Sequence, residues 1–353
     1  MPGSIKLADV AKLAGVSLGT ASNAFNRPER VRQEVREQVA AAARKLGYLG
    51  PDPKGRLLMG GKAHAIGVLP AGEVSVAHAI NSPFFRDFML GVSEICDENR
   101  ANLLVVSGTK DRKDWAIRNA LVDGFILGHI GEVELVSQRH QKVPFVVMDV
   151  DAGPDVSSVR IDGRTGARRA AEHLLALGHR RFAILSVLRR PASPIWHPPS
   201  GLSRRLAGSF PLDQEKLLGY GDAFEAAGLS LDNVPIVEAH PPTGWVEAGA
   251  SMLFERAPEA TAILAMSDKH AVAVLVEARR RGIGVPSDVS VVGFDNAPDA
   301  VTSDPPLTTV AQPLVEKGRI AARIVFDRGP PRQDVLPVEL IVRSSTSWPR
   351  RQS

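Results

Sequence analysis

Apolar residues near the start of the chain recur at the spacing of a helix. One face of the first predicted helix holds Leu7, Val10, Ala11 and Ala14. Gly15 is expected to end this helix, because the residue just past a helix end often needs a positive φ, which glycine adopts at little cost. Ser17 then begins a second helix as its N-cap, with its hydroxyl accepting from a backbone N–H near Thr20.

A third amphipathic helix follows and can close a small three-helix core. Its apolar positions are Val31, Val35, Val39, Ala42 or Ala43, and Leu46. Two short helices joined by a glycine turn are typical of a helix-turn-helix, whose second helix enters the major groove of DNA. An ordinary helical hairpin is the alternative, but the small residues Ala11, Gly15 and Ala21 favour the tighter motif.

The remainder of the chain alternates short apolar runs with helical patterns. The predicted strands are residues 66–70, 103–107, 124–128, 145–149, 182–186, 236–239, 262–266 and 289–294. The predicted helices lie near residues 84–99, 112–121, 132–142, 163–177, 214–228, 245–256, 268–281 and 313–327. Apolar strands separated by helices indicate parallel sheets covered on both faces. We expect an α/β core of two Rossmann-like lobes, which late strands near 307–310 and 335–342 complete.

Charge is unevenly distributed along the 353 residues. Residues 1–62 hold 11 lysines and arginines against 5 acidic residues, a net charge of +6, whereas the whole chain carries +4. A basic end on a near-neutral body fits a nucleic-acid-binding module, although basic tails are often simply solvated. Neither a signal peptide nor an apolar run of about 18 residues is visible, so we expect a cytoplasmic protein that does not contact a membrane.

The sequence contains no complete motif for catalysis or for metal binding. Gly55 and Gly61-Lys62 are separated by five residues, one more than a phosphate loop has. The nine histidines show no metal-ligand spacing, the single Cys96 excludes an internal disulfide, and no Gly-x-Ser-x-Gly elbow occurs. We therefore expect no enzyme activity, no cofactor and no metal.

Several short motifs occur in a fixed order near the N-terminus. They are Asp9-Val10-Ala11, Ala14-Gly15-Val16-Ser17, Thr20-Ala21-Ser22 and Leu46-Gly47-Tyr48. This segment resembles the headpiece of the LacI/GalR family of bacterial transcription regulators. Further landmarks extend the resemblance through nearly the whole chain: Asn81-x-Pro83-Phe84-Phe85, Asp123-Gly124-Phe125-Ile126, Leu177-Gly178-His179-Arg180 and Gly293-Phe294-Asp295.

The resemblance implies a three-part organisation. Residues 1–49 form a helix-turn-helix headpiece of three helices, residues 50–62 a hinge segment, and residues 63–349 a two-lobed periplasmic-binding-protein-like core. We assign residues 63–161 and 295–325 to the N-terminal lobe (N-lobe), and residues 162–294 and 326–349 to the C-terminal lobe (C-lobe). A small effector is expected to bind between the lobes.

The second helix of the headpiece carries the expected DNA contacts. Four short polar side chains suit phosphate groups: Ser17, Thr20, Ser22 and Asn26. Four residues are expected to face solvent: Leu18, Gly19, Ser22 and Asn23. Asn23 is best able to read a base, through a bidentate pair with adenine, whereas the family often has an arginine there, which favours guanine. Leu18 can touch a thymine methyl, and Gly19 is a poor base reader.

Prolines and glycines frame the segment 50–62. It is either a flexible tether or, as the resemblance implies, a hinge helix that folds when two copies meet in the minor groove. Arg56 and Leu58 would then contact DNA, with Leu58 wedged between base pairs, and Leu57 is the alternative if the register slips. Gly55 stands where the family often has alanine and lowers helix propensity by about 1 kcal/mol.

The resemblance also places the effector contacts. They are Asp149, Lys216, Ser267, Asp295 and, less directly, Gln312. Paired carboxylates suit a polyol because each accepts from two hydroxyls, but both aspartates can equally well just end strands. Phe84 and Phe85 can stack on a sugar ring, although one of them is expected in the core. Trp245 is either a lid over the effector or a packing residue.

The chain departs from the family pattern at several of these positions. Lys216 stands where the family has an arginine; the rival alignment uses Arg205, but Pro211 would then disrupt the following helix. We prefer Lys216 and interpret residues 188–213 as a long loop. Ser267 stands where asparagine is common, and His270 where an apolar residue is common. The effector therefore need not be a common hexose.

These observations predict a homodimeric regulator, expected to be a repressor, of pseudo-palindromic double-stranded operator DNA. A carbohydrate-like effector would control it. A solute-binding protein of a transporter shares the core fold, but it needs an export signal and no basic headpiece. A sugar-acting enzyme with a DNA-binding appendage needs a catalytic constellation, which the sequence does not contain.

Overall fold

The computed structural model describes residues 6–26, 28–48, 62–72, 74–128, 133, 143–188, 192–199, 211–240 and 244–350. The predicted helix at 132–142 and nearly all of the predicted hinge at 50–62 lie outside these residues. The chain divides into two compact units, Met1–Ala63 and His64–Ser353.

Three helices make up the described part of the first unit. They are α1 (Leu7–Leu13), α2 (Leu18–Asn26) and α3 (Gln33–Leu46), with a 3-10 turn at Pro28–Arg30. Gly15 has a φ of +64° between α1 and α2, which is the left-handed conformation that the sequence predicted there. The buried core of this unit consists of Val10, Ala11, Ala21, Val39, Ala42 and Ala43. The predicted helix-turn-helix and its third helix are confirmed.

A six-stranded sheet forms the N-lobe of the second unit. Its strands in spatial order are β12 (Gln333–Leu336), β5 (Ser157–Ile161), β4 (Phe145–Met148), β3 (Gly124–Leu127), β1 (Ala65–Leu69) and β2 (Asn102–Val105). All neighbours in this sheet pair in parallel. The helices of the lobe are α4 (Val76–Asn81), α5 (Pro83–Glu98), α6 (Lys113–Asn119) and α12 (Leu314–Asp327).

A seven-stranded sheet forms the C-lobe. Its strands in spatial order are β13 (Glu339–Ile341), β11 (Thr308–Ala311), β10 (Ser290–Asp295), β9 (Ala262–Ala265), β6 (Phe182–Val187), β8 (Ile236–Ala239) and β7 (Ile195–His197). The two edge strands pair antiparallel and the others pair in parallel. The helices are α7 (Gly163–Ala176), α8 (Pro211–Ala226), α9 (Trp245–Arg256), α10 (Asp268–Arg280) and α11 (Pro298–Thr302).

The faces of the C-lobe sheet belong to different cores. Ile184 of β6 packs in a core with Tyr220 of α8, whereas its neighbour Leu185 packs in another with Val246 of α9. Successive side chains of a strand point to opposite faces, so β6 is buried throughout, and Ser186 is the one polar residue in it. The predicted parallel sheet with helices on both faces is thus confirmed for this lobe.

The expected division between the lobes is wrong at the end of the chain. We expected residues 295–325 in the N-lobe and 326–349 in the C-lobe, but β11 (308–311) pairs with β10 of the C-lobe and β12 (333–336) pairs with β5 of the N-lobe. Of the elements after β10, α12 and β13 lie in the lobes that we expected. The apolar run of β11 fits either sheet equally well. In the structure, the side chain of Val310 in β11 is buried in a core made mainly of C-lobe residues. Tertiary packing therefore decides between the two.

Short elements were also missed. The segment 188–213, interpreted as a loop, contains β7, which pairs antiparallel with β8, and the first turn of α8. Pro211 begins α8, where its missing N–H costs no hydrogen bond, and this agrees with the choice of Lys216. β5, α4 and α11 were not predicted either, because segments of five or six residues carry too little periodicity to stand out.

The chain passes between the lobes three times within the described residues. The crossings are Asp162 after β5, Gln312-Pro313 after β11, and Pro337-Val338 after β12. The backbone N–H of Asp162 donates to the carbonyl of Leu336 at 2.9 Å, which ties the first crossing to the third. Because parallel strands end at the same edge of a sheet, the carboxyl ends of both sheets lie near these crossings.

Candidate functional site

The helix α2 of the first unit is held at its start by Ser17. The Ser17 Oγ accepts from the backbone N–H of Thr20 at 3.1 Å, and the two hydroxyls are 2.9 Å apart. This is the N-cap that the sequence predicted. The ring of Phe25, near the other end of α2, meets Tyr48 edge-on at 5.7 Å between centroids. These contacts fix the helix on its own unit.

The exposed surface of α2 agrees in part with expectation. Leu18 is 54% exposed and Gly19 is exposed, whereas Ser22 and Asn23 are half-buried. Asn26 ends the helix, and nothing of its side chain is described. Arg56 and Leu58 lie outside the described residues, so their predicted contacts with the minor groove stay predictions.

A cavity of about 400 Å³ lies at the carboxyl ends of both sheets of the second unit. The N-lobe lines it with the end of β1, the first turn of α5 and Asp149 after β4. The C-lobe lines it with the first turns of α8 and α10, with Ser267 and with Asp295. Of the predicted effector residues, six line this cavity: Phe84, Phe85, Asp149, Lys216, Ser267 and Asp295.

Asp149 has a buried cationic partner that the sequence analysis did not identify. Its Oδ1 accepts from Lys317 Nζ at 2.5 Å, and the lysine side chain is fully buried. The same ammonium group lies 5.6 Å from the ring centre of Phe84. Helices α5 and α12 can approach closely enough to bring Lys317 near Phe84 because Gly91 has no Cβ. A Cβ at Gly91 would clash with the carbonyl oxygen of Val315. The sequence signal that could have indicated this ion pair was a lysine within the apolar face of α12.

The two phenylalanines divide their roles, as expected. Phe85 is buried in the N-lobe core together with Phe88, whereas Phe84 is half-buried and lines the cavity beneath Lys317. Phe84 is therefore the residue that can present a ring face to a bound molecule.

Lys216 is buried in the wall of the C-lobe. Its Nζ donates to the carbonyl of Met266 at 2.8 Å and lies 3.8 Å from the ring centre of Phe294. Gly219, on the same helix, allows α8 to approach α7, because a Cβ there would clash with the carbonyl oxygen of Arg164. A lysine head group held in this way is a fixed point charge in the wall.

Ser267 and His270 form one polar unit at the start of α10. The Ser267 Oγ lies 2.7 Å from His270 Nδ1 and accepts from the His270 backbone N–H at 3.3 Å. The other ring nitrogen, Nε2, lies 2.9 Å from the carbonyl oxygen of Ala239. Ser267 is half-buried, His270 is buried, and both line the cavity.

Asp295 ends β10 with a φ of +116°, which few non-glycine residues adopt. Its Oδ1 accepts from Gln312 Nε2 at 2.6 Å, so a residue of the second crossing is tied to the C-lobe. Gln312 lies outside the main cavity and lines a neighbouring one of about 370 Å³, which Asp295 also borders. The Gln312 Oε1 is buried and accepts no hydrogen bond from the described part of the chain.

Trp245 does not reach the cavity. It begins α9, and its ring lies 5.6 Å from that of His240. Of the two roles left open for it, packing agrees with this position, because α9 covers the outer face of the sheet.

Asp268 is a buried carboxyl group that the sequence analysis missed. It accepts from the Thr309 hydroxyl at 2.5 Å and from the Ala297 backbone N–H at 2.7 Å. Burial, and next the negative charge of Asp295, raise the pKa of Asp268 to about 7. In the sequence, Asp268 is marked only by its position directly after Ser267, at the start of a predicted helix.

The described residues contain no cluster of three or more histidine, cysteine or acidic side chains that could hold a metal ion. Among the helices that the structure describes, none is long and apolar enough to cross a membrane.

Known proteins are similar to this chain in both of its units. Residues 6–50 match the family model of bacterial regulatory proteins, lacI family, and residues 171–346 match that of the periplasmic binding protein-like domain. A helix-turn-helix-type transcriptional regulator of Mycolicibacterium smegmatis is 35% identical over 363 residues, covering 99% of this chain and 98% of its own. The transcriptional repressor CytR of Escherichia coli K12 is 29% identical over 355 residues, with 96% and 95% covered.

Among solved structures, a complex of the transcriptional regulator CelR with cellobiose is similar along almost its full length. The TM-score is 0.67 at 27% identity, and the match covers 97% of this chain and 99% of that one. Because the similarity to such regulators spans the helix-turn-helix unit and the core alike, the chain belongs to the LacI family of bacterial transcriptional regulators, which bind DNA.

Proposed function

We propose that this regulator represses transcription by binding a pseudo-palindromic operator as a homodimer, and that a small carbohydrate-like effector in the inter-lobe cavity controls that binding. The observation that carries the proposal is the cavity of about 400 Å³, lined by polar groups of both lobes. A ligand that touches both lobes binds their two arrangements with different affinities, and only such a difference can shift the DNA-binding population.

The proposed DNA contacts lie on α2 and in the hinge. Ser17, Thr20, Ser22 and Asn26 would meet phosphates, while Leu18, Gly19 and Asn23 would face base edges. Arg56 and Leu58 would enter the minor groove, with Leu58 as the wedge. The basic excess of residues 1–62 supports such an interface, since phosphate neutralisation supplies much of the affinity.

The chemistry of the cavity favours a polyol. Asp149, Ser267 and Asp295 are oxygen acceptors that line it, and Phe84 offers an apolar face of the kind that a sugar ring covers. Lys216 is expected to orient a ligand oxygen from the C-lobe side, and Gln312 to act through Asp295. A cellobiose-bound regulator among the similar structures supports a carbohydrate-like effector.

Repression, dimerisation and place of action follow from the same proposal. CytR is a repressor, and an operator with two-fold symmetry is matched by a two-fold dimer. A regulator of bacterial genes acts in the cytoplasm, where the chromosome lies. We propose that the cavity binds its ligand without transforming it.

The test begins with DNA. Fragments bound by the full-length protein are selected from a random library, and the consensus is located in the source genome. Operator release is then measured with a panel of pentoses, hexoses and disaccharides, while calorimetry reports sugar binding. An inverted-repeat consensus with sugar-dependent release is the expected result. A consensus without symmetry, or no response to any sugar, would contradict the dimer or the carbohydrate effector respectively.

A further inference from the structure

The hydrogen bonds around His270 determine which of its ring nitrogens carries the proton. Nε2 lies 2.9 Å from the carbonyl oxygen of Ala239, which can only accept. If Nε2 carried no proton, two hydrogen-bond acceptors would face each other at that distance. The site is buried, since His270 is 1% exposed. In the neutral ring Nε2 therefore holds the proton, and Nδ1 is an acceptor.

The state of the ring fixes the direction of the next hydrogen bond. With Nδ1 as an acceptor, the contact of 2.7 Å to Ser267 must use the hydroxyl proton of the serine. The Ser267 oxygen also accepts from the backbone N–H of His270, which occupies one of its two lone pairs. What remains toward the cavity is one lone pair and no proton.

We infer that His270 makes Ser267 an obligate hydrogen-bond acceptor, so that an effector is recognised there through a hydroxyl or N–H donor. A ligand atom that can only accept, such as a phosphate oxygen, a carboxylate oxygen or a ring ether, is rejected at this position. The inference rests on the proposed function for the presence of an effector, but the polarity of Ser267 is a property of the protein alone.

Two carboxylates of the cavity agree with a ligand that donates, while the exposed cationic side chains of Arg86 and Lys269 also line it. Asp295 and Asp149, which line it from the two lobes, are acceptors whenever they are ionised. Lys317 donates to Asp149, and Lys216 donates to the Met266 carbonyl. The ammonium group of Lys216 has further N–H donors for a ligand oxygen, so the rejection of acceptor atoms applies at Ser267 and not to the whole cavity. His270 is thus a positioning residue for Ser267 and a determinant of which ligand atoms are allowed.

The first test needs no ligand. Full-length protein labelled with 15N-histidine is studied by NMR, and the ring signals of His270 are assigned by their loss in His270→Leu. If that variant does not fold, the shift of the Nδ1 signal in Ser267→Ala makes the assignment. We expect a neutral ring with the proton on Nε2 and a bare Nδ1. A proton on Nδ1 would overturn the inference, because the serine hydroxyl would then be free to donate.

The second test uses sugars that bind, drawn from a panel of pentoses, hexoses and disaccharides including ribose and cellobiose. Each hydroxyl of a binding sugar is replaced in turn by fluorine, which cannot donate, and affinities are measured by calorimetry. At one position the wild-type protein should lose about tenfold or more, because the substitution leaves two acceptors facing each other. In His270→Leu the hydroxyl can turn and donate, so the loss there should fall to about twofold or less.

A double variant supplies the control. In His270→Leu/Ser267→Ala neither the sugar hydroxyl nor the fluorine has a partner at this position, so fluorination should change affinity by about twofold or less, and the parent sugar should bind more weakly than it binds to His270→Leu. An equal loss in wild-type protein and His270→Leu at every position would overturn the inference. If no sugar of the panel binds, the carbohydrate effector of the proposed function fails, and the NMR result alone decides the polarity of Ser267.

Discussion

Lys317 of α12 and Asp149, which follows β4 and lines the cavity, form a buried ion pair in the N-lobe. The lysine Nζ lies 2.5 Å from the aspartate Oδ1, and the two side chains are 0% and 8% exposed. They are 168 residues apart in the chain. The carboxylate that Asp149 presents to the proposed effector cavity is thus already neutralised in part by the protein itself.

Removing the lysine alone should destabilise the core. Lys317→Met leaves the Asp149 carboxylate buried without its partner, and we expect a loss of about 3–5 kcal/mol in the free energy of unfolding. The double variant Lys317→Met/Asp149→Asn removes both charges and should recover most of it; asparagine also tolerates the φ of +57° at this position. Urea unfolding measures both. If the free energy of unfolding of the single variant lies within about 1 kcal/mol of that of wild type, the ion pair contributes little to stability.

Stability should depend on the protonation of Asp268. Its pKa is raised in the folded protein by burial and by Asp295, so between about pH 4 and pH 7 the native state binds more protons than the unfolded chain. The contribution of Asp268 to stability is therefore lost as the pH rises through this window, with a slope of up to about 1.4 kcal/mol per pH unit.

The matching variant is Asp268→Asn, whose amide oxygen still accepts from the Ala297 N–H. Its amide nitrogen can donate to the Thr309 hydroxyl oxygen, which reverses the direction of the wild-type hydrogen bond. Urea unfolding of both proteins across this range gives the difference. We expect wild type to lose stability relative to the variant as the pH rises. Parallel curves would contradict the raised pKa.

Operator binding should weaken steeply with salt. The cationic residues of positions 1–62 displace counterions from DNA, and several phosphate contacts imply a loss of orders of magnitude in affinity between about 50 and 200 mM salt. Fluorescence anisotropy with the selected operator, and with a scrambled duplex as control, measures this. Flat salt dependence on the operator would rule out phosphate contacts as a main source of affinity.

Changing Asn23 should change the preferred base. Asn23→Arg exchanges a side chain that pairs with adenine for one that pairs with guanine, with about 1–3 kcal/mol of discrimination per half-site. Gln38→Arg, on the exposed surface of α3, adds the same charge outside α2 and serves as the matched control. Selection from a random library should move one base toward guanine for the first variant only. An unchanged consensus would mean that Asn23 faces a phosphate or solvent.

Asp295 should couple the cavity to DNA binding. Asp295→Asn keeps an acceptor for Gln312 but removes the charge offered to a ligand, so the sugar effect on operator affinity should disappear while unliganded operator binding remains. In wild type, operator DNA must change sugar affinity by the same factor as sugar changes operator affinity. Calorimetry with and without operator measures that factor. Equal sugar affinities in both titrations would contradict regulation through the cavity.

Much of the site was predicted because its signals are local. Ser17 caps α2 and Gly15 turns the chain within a few residues, so the periodicity and turn chemistry of the segment suffice to place them. The effector positions came from the resemblance to the family, and six of them line one cavity. Asp149, Ser267 and Asp295 lie at strand ends, which share an edge in a parallel sheet. Trp245 was the ambiguous case, because an aromatic residue at a helix start fits a lid and a packed surface equally well.

By itself, then, the sequence determined the helix-turn-helix, the two Rossmann-like sheets and the family, all of which depend on short-range periodicity and ordered motifs. Only the tertiary structure decided which sheet receives β11 and which receives β12, because an apolar run fits either edge until the helices pack. It also decided the partners of the buried polar groups. Lys317 meets Asp149, and His270 meets the carbonyl of Ala239, across distances in sequence that no local pattern encodes. In a buried site, the partner of each polar group sets whether that group donates or accepts.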